Sequence, residues 1–330
     1  MVSEKLRVGV VGFGKMGMLH AGILNVLPRV KLVAFCEKSN LIQRFLKKAV
    51  RDIHVVDCVE KFSGLDLDAV YVTTPIESHF PVVKSLYEGE ITRNLFVEKT
   101  LASNFKEARE LCELARKFVG VNMVGYMRRF SVTFMKAKDL LDEGVVGKPF
   151  SFKAYAYSSD FFGVKGNSKV QTPKVGVVRD LGCHALDLAL WFFGDLLVED
   201  TRVESVVNDG SMDSAFFMVK ASGDVTGEFS VSWCVDGYRM PEVGFFVEGS
   251  EGSLSVNGDE LAVSLKNGKK QKWFRHDLGD RVGFWLGSPE YYREDEHFVN
   301  AVLQGKPAEP CFETAAKVDR LIDEVLTRTG

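Results

Sequence analysis

The sequence has few cysteines, and their spacing gives no sign of a disulfide framework or a zinc site. Only 6 cysteines occur among 330 residues, and none forms a CxxC pair or lies near a histidine at zinc-ligand spacing. Thiols scattered in this way are typical of the reduced, mostly buried cysteines of proteins inside the cell. We therefore expect a protein without disulfide bonds and without a bound metal.

Long hydrophobic runs and a strong excess of one charge are also missing. No stretch reaches the ~18 apolar residues that a membrane-spanning helix needs. The N-terminal sequence MVSEKLRVGVVGFG lacks the apolar core of a signal peptide. The formal net charge is -3, so no broad basic surface is available for nucleic acid. We expect a cytoplasmic protein that binds neither membranes nor nucleic acid.

One basic cluster occurs, in the stretch KNGKKQKWFRH at 266–276. The turn signal Asn267-Gly268 lies inside it, between two strand-like runs. We interpret the cluster as the exposed tip of a β-hairpin, and a site for a polyanion is the less favoured alternative.

Short apolar and β-branched runs alternate with helix-like stretches in the first third of the chain. The predicted strands cover 6–12, 30–37, 68–75, 94–99 and 121–126. Stretches of helical periodicity separate them, including one over 40–50 and one near 104–118. This alternation predicts βαβ units and therefore an α/β fold with a parallel, doubly wound sheet.

Beyond about residue 150 the pattern changes to closely spaced strands with few helices between them. Turn signals at Asn257-Gly258 and Asn267-Gly268 separate several of these strands, as in antiparallel hairpins. Further helices are predicted at about 183–193, 289–303 and 312–328. We expect a first domain over 1–124 and an α+β domain with a mainly antiparallel sheet over 125–330.

A glycine motif follows the first predicted strand and opens a helix. Its six residues are Gly12, Phe13, Gly14, Lys15, Met16 and Gly17. In this context the glycines allow a tight turn, close approach of a pyrophosphate and close packing of the helix on the strand. The N–H groups and the dipole of the helix N-terminus would hold the phosphates. A purely structural glycine turn is the alternative.

The acidic residue expected about 20 residues after such a motif is Glu37, at the end of the second strand. Its carboxylate would accept hydrogen bonds from the ribose hydroxyls and repel a 2′-phosphate, which favours NAD as the cofactor. Lys38 could instead meet a 2′-phosphate, so NADP stays open. The alternative is a solvated glutamate that binds no ligand.

Polar residues follow two further predicted strands at their carboxyl ends, where open α/β sheets bind ligands. These residues are Thr73, Thr74, Pro75, Glu98 and Lys99, with His79 just beyond the first group. Composition alone leaves two interpretations of Glu98 and Lys99, a ligand contact or a strand that reaches solvent. For His79, contact with the cofactor ribose and capping of its own helix are both open.

The stretch RDLGCHALD, at 179–187, places charged residues at the start of an otherwise apolar helix. Asp180, His184 and Asp187 are spaced i, i+4 and i+7, so they share one face if the segment is helical from its first residue. Buried charge is costly unless it is paired, so these groups either have protein partners or line a cavity where chemistry occurs. A helix cap with a core histidine is the alternative. The other histidines have no comparable neighbours and are interpreted as structural or surface residues: His20, His54, His276 and His297.

Five motifs carry a family resemblance: GxGxxG at 12–17, TTPIESH at 73–79, EKTLA at 98–102, GYMRRF at 125–130 and DLGCHALDL at 180–188. Together they resemble the glucose–fructose oxidoreductase / inositol dehydrogenase (Gfo/Idh/MocA) family over nearly the whole chain. Two departures occur: Thr100 replaces the proline of the family's Glu-Lys-Pro, and only Gly176 remains of a glycine-rich lead-in to the Asp…His helix. The first departure concerns the local backbone and not the amine of Lys99.

The resemblance implies an N-terminal NAD(P)-binding Rossmann domain and a second domain, with an open-faced antiparallel sheet, for substrate binding and oligomerisation. It implies an NAD(P)-dependent dehydrogenase that acts on a CH–OH group of a sugar, a cyclitol or a sugar nucleotide. It assigns the catalytic group to Lys99, Asp180 and His184. It also assigns cofactor contacts to the strand-end residues 73–75 and 98–99.

The chemistry of such a reaction suits these residue types. A secondary alcohol loses hydride only as its hydroxyl proton leaves, so a base is needed whose pKa lies near the working pH. His184 suits that role, Asp180 would orient it or bind a neighbouring hydroxyl, and Lys99 would stabilise charge on the reacting oxygen. Further substrate contacts are expected at Tyr126, Arg129 and Asp187.

Two features of the second domain concern its partners. The polar segment 158–176 is interpreted as a substrate-covering loop in which Lys165 and Lys169 meet an anionic sugar or a diphosphate, with a plain surface loop as the alternative. Aromatic residues are frequent in the predicted sheet: Phe216, Phe217, Phe229, Trp233, Phe245 and Phe246. So much apolar surface suggests that the open sheet face packs on a second copy, giving a homodimer or a homotetramer.

Two other functions remain open from the sequence. A non-catalytic, nucleotide-sensing regulatory protein could keep the same fold, but it would not need Lys99, Asp180 and His184 together. A methyltransferase could use the glycine loop for S-adenosylmethionine, but that chemistry gives no role to those three residues.

Overall fold

The computed structural model describes residues 5–164, 173, 175–207, 210–280 and 288–328. The chain forms two compact units. The first contains Met1–Tyr126 and Tyr291–Asp319, and the second contains Met127–Glu290 and Arg320–Gly330. The division after Tyr126 lies beside the predicted boundary at 124, whereas Tyr291–Asp319 belongs to the first unit and not to the second.

Aromatic packing explains the placement of this C-terminal segment. Phe298 meets the rings of Tyr71 and Phe96 edge to face, with centroids 5.4 and 5.8 Å apart, and all three rings are fully buried. Tyr71 and Phe96 lie on neighbouring strands and stack at 4.6 Å. The helix that carries Phe298 therefore completes the core of the first unit, and its own sequence does not show which sheet it covers.

The first unit contains a six-stranded parallel sheet. Its strands are β1 (Leu6–Val11), β2 (Val30–Cys36), β3 (His54–Val56), β4 (Ala69–Val72), β5 (Asn94–Glu98) and β6 (Asn122–Gly125). Their order is β3-β2-β1-β4-β5-β6, and every neighbouring pair is parallel. The predicted doubly wound sheet is confirmed, although β3 is too short for the sequence pattern to reveal.

Four helices lie between these strands: α1 (Lys15–Val26), α2 (Asn40–Ala49), α3 (His79–Glu88) and α4 (Phe105–Phe118). The apolar strand β4 is buried along its whole length, as expected for a sheet covered on both faces. Because all strands run in the same direction, the loops after β1, β4 and β5 leave the same edge of the sheet. This edge carries the glycine loop, Thr73 and Lys99.

The second unit contains an eight-stranded sheet. Its strands are β7 (Pro149–Tyr157), β8 (Leu196–Glu204), β9 (Ser214–Ala221), β10 (Val225–Ser232), β11 (Glu242–Gly249), β12 (Gly252–Asn257), β13 (Glu260–Leu265) and β14 (Lys270–Phe274). Their order is β14-β13-β12-β11-β7-β10-β9-β8, and only the β7–β10 pair is parallel. The predicted hairpin around Asn267-Gly268 is confirmed as the connection of β13 to β14, and Gly268 has a φ of 89°.

The remaining helices are α5 (Val132–Asp142), α6 (Cys183–Phe193), α7 (Pro289–Gln304) and α8 (Phe312–Thr327). Helix α6 packs on one face of the eight-stranded sheet, where the ring of Phe193 stacks on Phe152 at 4.4 Å. The six sheet aromatics divide unequally between the faces. Phe216 and Phe246 are 43% and 41% exposed, whereas the other four are buried: Phe217, Phe229, Trp233 and Phe245. The open face is therefore less aromatic than the sequence suggests, because neighbouring residues of a strand point to opposite faces.

The stack of Phe152 and Phe193 leads to a stability prediction. Phe152→Ala should lower the free energy of unfolding by about 3–5 kcal/mol, because it leaves a cavity beneath α6. Phe150→Ala, two residues away on the same strand but exposed, is the matched control and should change it by less than about 0.5 kcal/mol. Urea unfolding followed by circular dichroism measures both, and equal losses would contradict the packing described.

Candidate dinucleotide and catalytic site

In the loop after β1, the backbone at each of the three glycines has the geometry that a dinucleotide-binding loop requires. Gly12 has a φ of 87°, and a Cβ there would lie 3.0 Å from the carbonyl oxygen of Thr73. A Cβ on Gly17 would lie 2.0 Å from the carbonyl oxygen of Gly12, so only glycine lets α1 start this close to β1. A Cβ on Gly14 would have no neighbour within 4 Å. The loop is thus tight beneath the helix and open above Gly14, where a pyrophosphate fits.

The N-terminus of α1 is available to an anion. Gly14 is its N-cap residue and no side chain caps the first turn. Lys15 is exposed and Met16 half-buried, so the start of the helix reaches the surface. The hydroxyl of Thr73 donates to the carbonyl oxygens of Val11 and Gly12 at 3.0 and 2.8 Å and so fixes the loop. Backbone N–H groups and the helix dipole would together hold the phosphates of NAD.

Glu37 directly follows β2 and hydrogen-bonds to the glycine loop. One carboxylate oxygen accepts the backbone N–H of Phe13 at 2.8 Å, and the other accepts that of Ser39 at 2.7 Å. Each oxygen keeps lone-pair capacity for a ribose hydroxyl. Lys38 beside it is exposed. The residues present therefore fit the adenosine half of a dinucleotide.

The residues after β4 divide between the surface and the interior. Pro75 is exposed and Thr74 is half-buried. The Oγ1 atom of Thr74 is buried, and the described residues provide no hydrogen-bond partner for it. His79 is fully buried, so the structure offers its ring no surface for a cofactor ribose. Its Nδ1 lies 2.7 Å from the carbonyl oxygen of Thr100 and its Nε2 lies 2.8 Å from that of Thr74.

Glu98 belongs to a buried charge cluster that sequence reasoning missed. Its Oε1 contacts Nε2 of His20 at 2.9 Å, and Nδ1 of His20 contacts the two carboxylate oxygens of Asp295 at 2.8 and 3.0 Å. The other oxygen of Glu98 accepts the backbone N–H of Lys99 at 3.0 Å. Both oxygens of Glu98 thus have protein partners, and the expected cofactor contact stays a prediction. The signal in the sequence is the position of His20 three residues after Gly17, on the helix face that meets the sheet.

The charges of this cluster follow from its surroundings. Burial by itself would lower the pKa of His20, but the carboxylates of Asp295 and Glu98 outweigh burial and raise that pKa well above its usual range. Burial opposes ionisation of Glu98, yet the hydrogen bond and charge of His20 lower the pKa of that carboxyl. These directions favour a charged His20 and an ionised Glu98, whereas burial raises the pKa of the Asp295 carboxyl despite the neighbouring His20.

Lys99 directly follows β5 and is half-buried. The peptide bond between Lys99 and Thr100 is cis, at the position where the family pattern has a proline. Its neighbours in the chain, Glu98 and Thr100, are both buried. The lysine thus lies at the carboxyl edge of the parallel sheet, beside the residues that follow β4.

The predicted catalytic pair of the second unit lies at the start of α6. A π-helical turn, Val178–Gly182, precedes α6, so Asp180 belongs to a wider turn than the α-helix assumed from the spacing. Between residues 176 and 190 only Asp180 and His184 are not buried. Asp187 is fully buried, so the three residues do not share one exposed face.

Asp187 and Arg129 form an ion pair inside the second unit. Nη2 and Nε of Arg129 donate to the two carboxylate oxygens of Asp187 at 2.7 and 2.8 Å. The guanidinium lies 5.6 Å from the ring centre of Trp191. These two residues therefore bind each other, because a buried carboxylate needs a charged partner, and the substrate contacts expected at both stay predictions. Tyr126, the third predicted contact, is fully buried in the first unit.

Other expectations concern the substrate-covering loop, membrane-spanning helices and metal binding. Lys165 and Lys169 lie outside the described residues. No helix in the described ranges combines the length and apolar character needed to cross a membrane. Within those ranges, no group of three or more His, Cys, Asp or Glu residues could hold a metal ion, and the absence of a metal stays a prediction.

The parallel sheet, the glycine loop and Glu37 define a dinucleotide-binding protein of the Rossmann class. Two family models match the chain, one described as an oxidoreductase family with an NAD-binding Rossmann fold over residues 6–126, the other as the GFO/IDH/MocA C-terminal domain over residues 134–255. The chain belongs to the GFO/IDH/MocA family of NAD-binding oxidoreductases, which confirms the resemblance seen in its motifs.

Comparisons with individual proteins agree over almost the full length. The chain is 26% identical to myo-inositol 2-dehydrogenase of Thermotoga maritima over 326 residues, covering 92% of this chain and 90% of that protein. It is 25% identical to D-glucoside 3-dehydrogenase of Escherichia coli over 332 residues, with coverage of 93% and 90%. A levoglucosan dehydrogenase structure in complex with NADH and L-sorbose has the same fold, with a TM-score of 0.87, 18% identity and coverage of 98% and 96%.

The glycine geometry predicts how two substitutions in one helix differ. Gly17→Ala should weaken NADH binding by about 10-fold or more, because the new methyl group forces α1 away from the glycine loop. Gly22→Ala is the matched control in α1, where a Cβ meets nothing within 4 Å, and it should leave NADH binding unchanged. Fluorescence titration with NADH measures both, and equal affinities would contradict the tight contact.

The buried ion pair predicts a loss of stability rather than a substrate effect. Asp187→Ala should lower the free energy of unfolding by about 3–5 kcal/mol, because it leaves the Arg129 guanidinium buried without this carboxylate. The double variant Arg129→Met with Asp187→Leu should recover most of that loss. Urea unfolding tests both variants. Unchanged stability of Asp187→Ala together with a raised KM would instead indicate a substrate contact.

Proposed function

We propose that the protein is an NAD(P)-dependent dehydrogenase that transfers a hydride between nicotinamide and a secondary alcohol or ketone of a sugar, a cyclitol or a sugar nucleotide. The observation that carries the proposal is the selective exposure of Asp180 and His184. Both are half-buried, whereas their neighbours from 176 to 190 are all buried, so an acid and an imidazole are the groups of this segment that reach the surface. Polar groups that a core does not need are typical of a site for chemistry.

We assign a role to each of three residues in this reaction. His184 takes the hydroxyl proton of the substrate during oxidation and returns it during reduction. Asp180, in the preceding turn, orients the imidazole or binds a neighbouring hydroxyl. Lys99 hydrogen-bonds the reacting oxygen and stabilises the negative charge that develops there. Bound NAD supplies the hydride acceptor.

The substrate class is supported by the names of several relatives. They include proteins named as dehydrogenases of myo-inositol, scyllo-inositol and D-glucosides. These substrates are rings that carry several hydroxyl groups, and oxidation of one hydroxyl leaves the others for recognition. We propose NAD over NADP because Glu37 is placed to accept the ribose hydroxyls and disfavours a 2′-phosphate.

We also propose a homodimer or homotetramer that forms through the open face of the eight-stranded sheet. The exposed rings of Phe216 on β9 and Phe246 on β11 lie on the same face of that sheet and support an apolar contact there. A cytoplasmic location is supported by the state of the cysteines, since all six are free thiols.

The proposed function is tested by reduction of NAD⁺ with a panel of polyhydroxylated substrates, namely myo-inositol, scyllo-inositol, methyl glucoside, levoglucosan and UDP-glucose. Oxidation of at least one is expected. Lys99→Ala should lower kcat by about 100- to 1,000-fold and leave the Kd for NADH within about twofold, because it removes stabilisation of the reacting oxygen. Lys47→Ala, at an exposed position of α2, is the control.

Two results would contradict the proposal. An active Lys99→Ala variant would remove the assigned role of this amine. Tight NADH binding without turnover of any polyol would instead favour a nucleotide-sensing regulatory protein, and failure to bind NADH would leave S-adenosylmethionine as the ligand to test.

A further inference from the structure

Two buried histidines hold the residues on either side of Lys99. His20 comes from α1 and contacts Glu98, the residue before the lysine. His79 comes from the start of α3 and contacts the carbonyl oxygen of Thr100, the residue after it. Both rings are fully buried. His20, His79, Glu98, Lys99 and Thr100 all belong to the first unit. Histidine side chains from two different helices therefore contact the residues on either side of the proposed catalytic amine.

On the first side, contacts run in series from α7 to the lysine backbone. The carboxylate of Asp295 holds Nδ1 of His20, and Nε2 of His20 holds Oε1 of Glu98. The remaining oxygen, Oε2, accepts the backbone N–H of Lys99 at 3.0 Å. The contact of one carboxylate oxygen with His20 thus restricts the orientation in which the other oxygen meets that N–H group.

On the second side, His79 joins two loops that follow neighbouring strands. Nδ1 lies 2.7 Å from the carbonyl oxygen of Thr100, after β5, and Nε2 lies 2.8 Å from that of Thr74, after β4. Burial lowers the pKa of this histidine, although both carbonyl oxygens favour its charged form. A neutral ring carries a single N–H group and donates to one of the two carbonyl oxygens.

Stability alone does not account for this arrangement. Burying an ionisable histidine between two carboxyl groups carries a desolvation cost, and apolar side chains of similar volume commonly stabilise a core as well or better. Buried polar groups of this kind are well suited to fixing one geometry. Here the geometry that they fix is that of the backbone at Lys99.

We propose that His20 and His79 are positioning residues that fix the peptide Glu98–Thr100 and thereby place the amine of Lys99 for the reaction. The proposal rests on the proposed function in so far as Lys99 is the catalytic amine. A displacement of about 1 Å in a catalytic group can lower the rate by about 100-fold, so fixing this peptide from both sides has a large effect on turnover.

Matched substitutions at each histidine separate positioning from simple packing. The amide of asparagine ends near the position of Nδ1, and the amide of glutamine ends near that of Nε2. His20→Gln therefore keeps a donor toward Glu98, and His20→Asn loses it. At the second site the order is reversed, because His79→Asn places a donor toward Thr100 and His79→Gln places one only toward Thr74.

Two measurements on the full chain distinguish positioning from packing. The first is the kcat with NAD⁺ and whichever polyol of the panel is oxidised, beside the Kd for NADH. The second is hydrogen–deuterium exchange by mass spectrometry of peptides covering residues 95–101, compared with peptides from β1 and α4. Exchange does not depend on turnover, so it tests the positioning even if no polyol in the panel is oxidised.

We expect His20→Asn and His79→Gln to lower kcat by about 10- to 100-fold, to leave the Kd for NADH nearly unchanged and to speed exchange only at 95–101. His20→Gln and His79→Asn should remain within about threefold of the original kcat, with slow exchange at that segment. If both variants at a site lose activity equally, or if exchange rises throughout the first unit, the histidines are packing residues and the proposal is overturned. Unchanged exchange at 95–101 in all four variants overturns it as well.

Discussion

The contact between Gly17 and the carbonyl oxygen of Gly12 sets the position of α1, and the rest of the dinucleotide site depends on it. With no side chain at Gly17, the helix starts against β1 and its N-terminus faces the loop where phosphates bind. The same position brings His20, three residues further along, within 2.9 Å of Glu98 at the end of β5. One helix therefore serves both the phosphate loop and the strand end that carries Lys99.

Buried charge in each unit is matched by opposite charge. His20 lies between the carboxylates of Glu98 and Asp295, and Arg129 binds Asp187 through two nitrogens. Pairs of this kind add little net stability compared with apolar packing, so we infer that they are kept for the geometry that they impose. In the second unit the pair anchors α6, and the same helix presents His184, with Asp180 in the turn before it.

The local pattern of the sequence predicted most of the fold. Apolar runs separated by helices predicted the parallel sheet, and Asn-Gly turns predicted the hairpins of the second sheet, because both signals act over a few residues. The glycine motif and Glu37 were identified for the same reason. The pattern failed where partners are distant in sequence. His20 and Asp295 are 275 residues apart, and neither residue has a chemical neighbour along the chain that reveals the contact.

The sequence by itself determined the class of each element, the dinucleotide loop and the residue types that suit hydride transfer from an alcohol, since these follow from backbone preferences and side-chain chemistry. The tertiary structure decided which charges meet. It paired Asp187 with Arg129, placed the segment Tyr291–Asp319 with the first unit and buried His79 between two carbonyl oxygens. The physical reason is that pairing of buried charges and closure of a core depend on distances in space, which spacing along the chain does not fix.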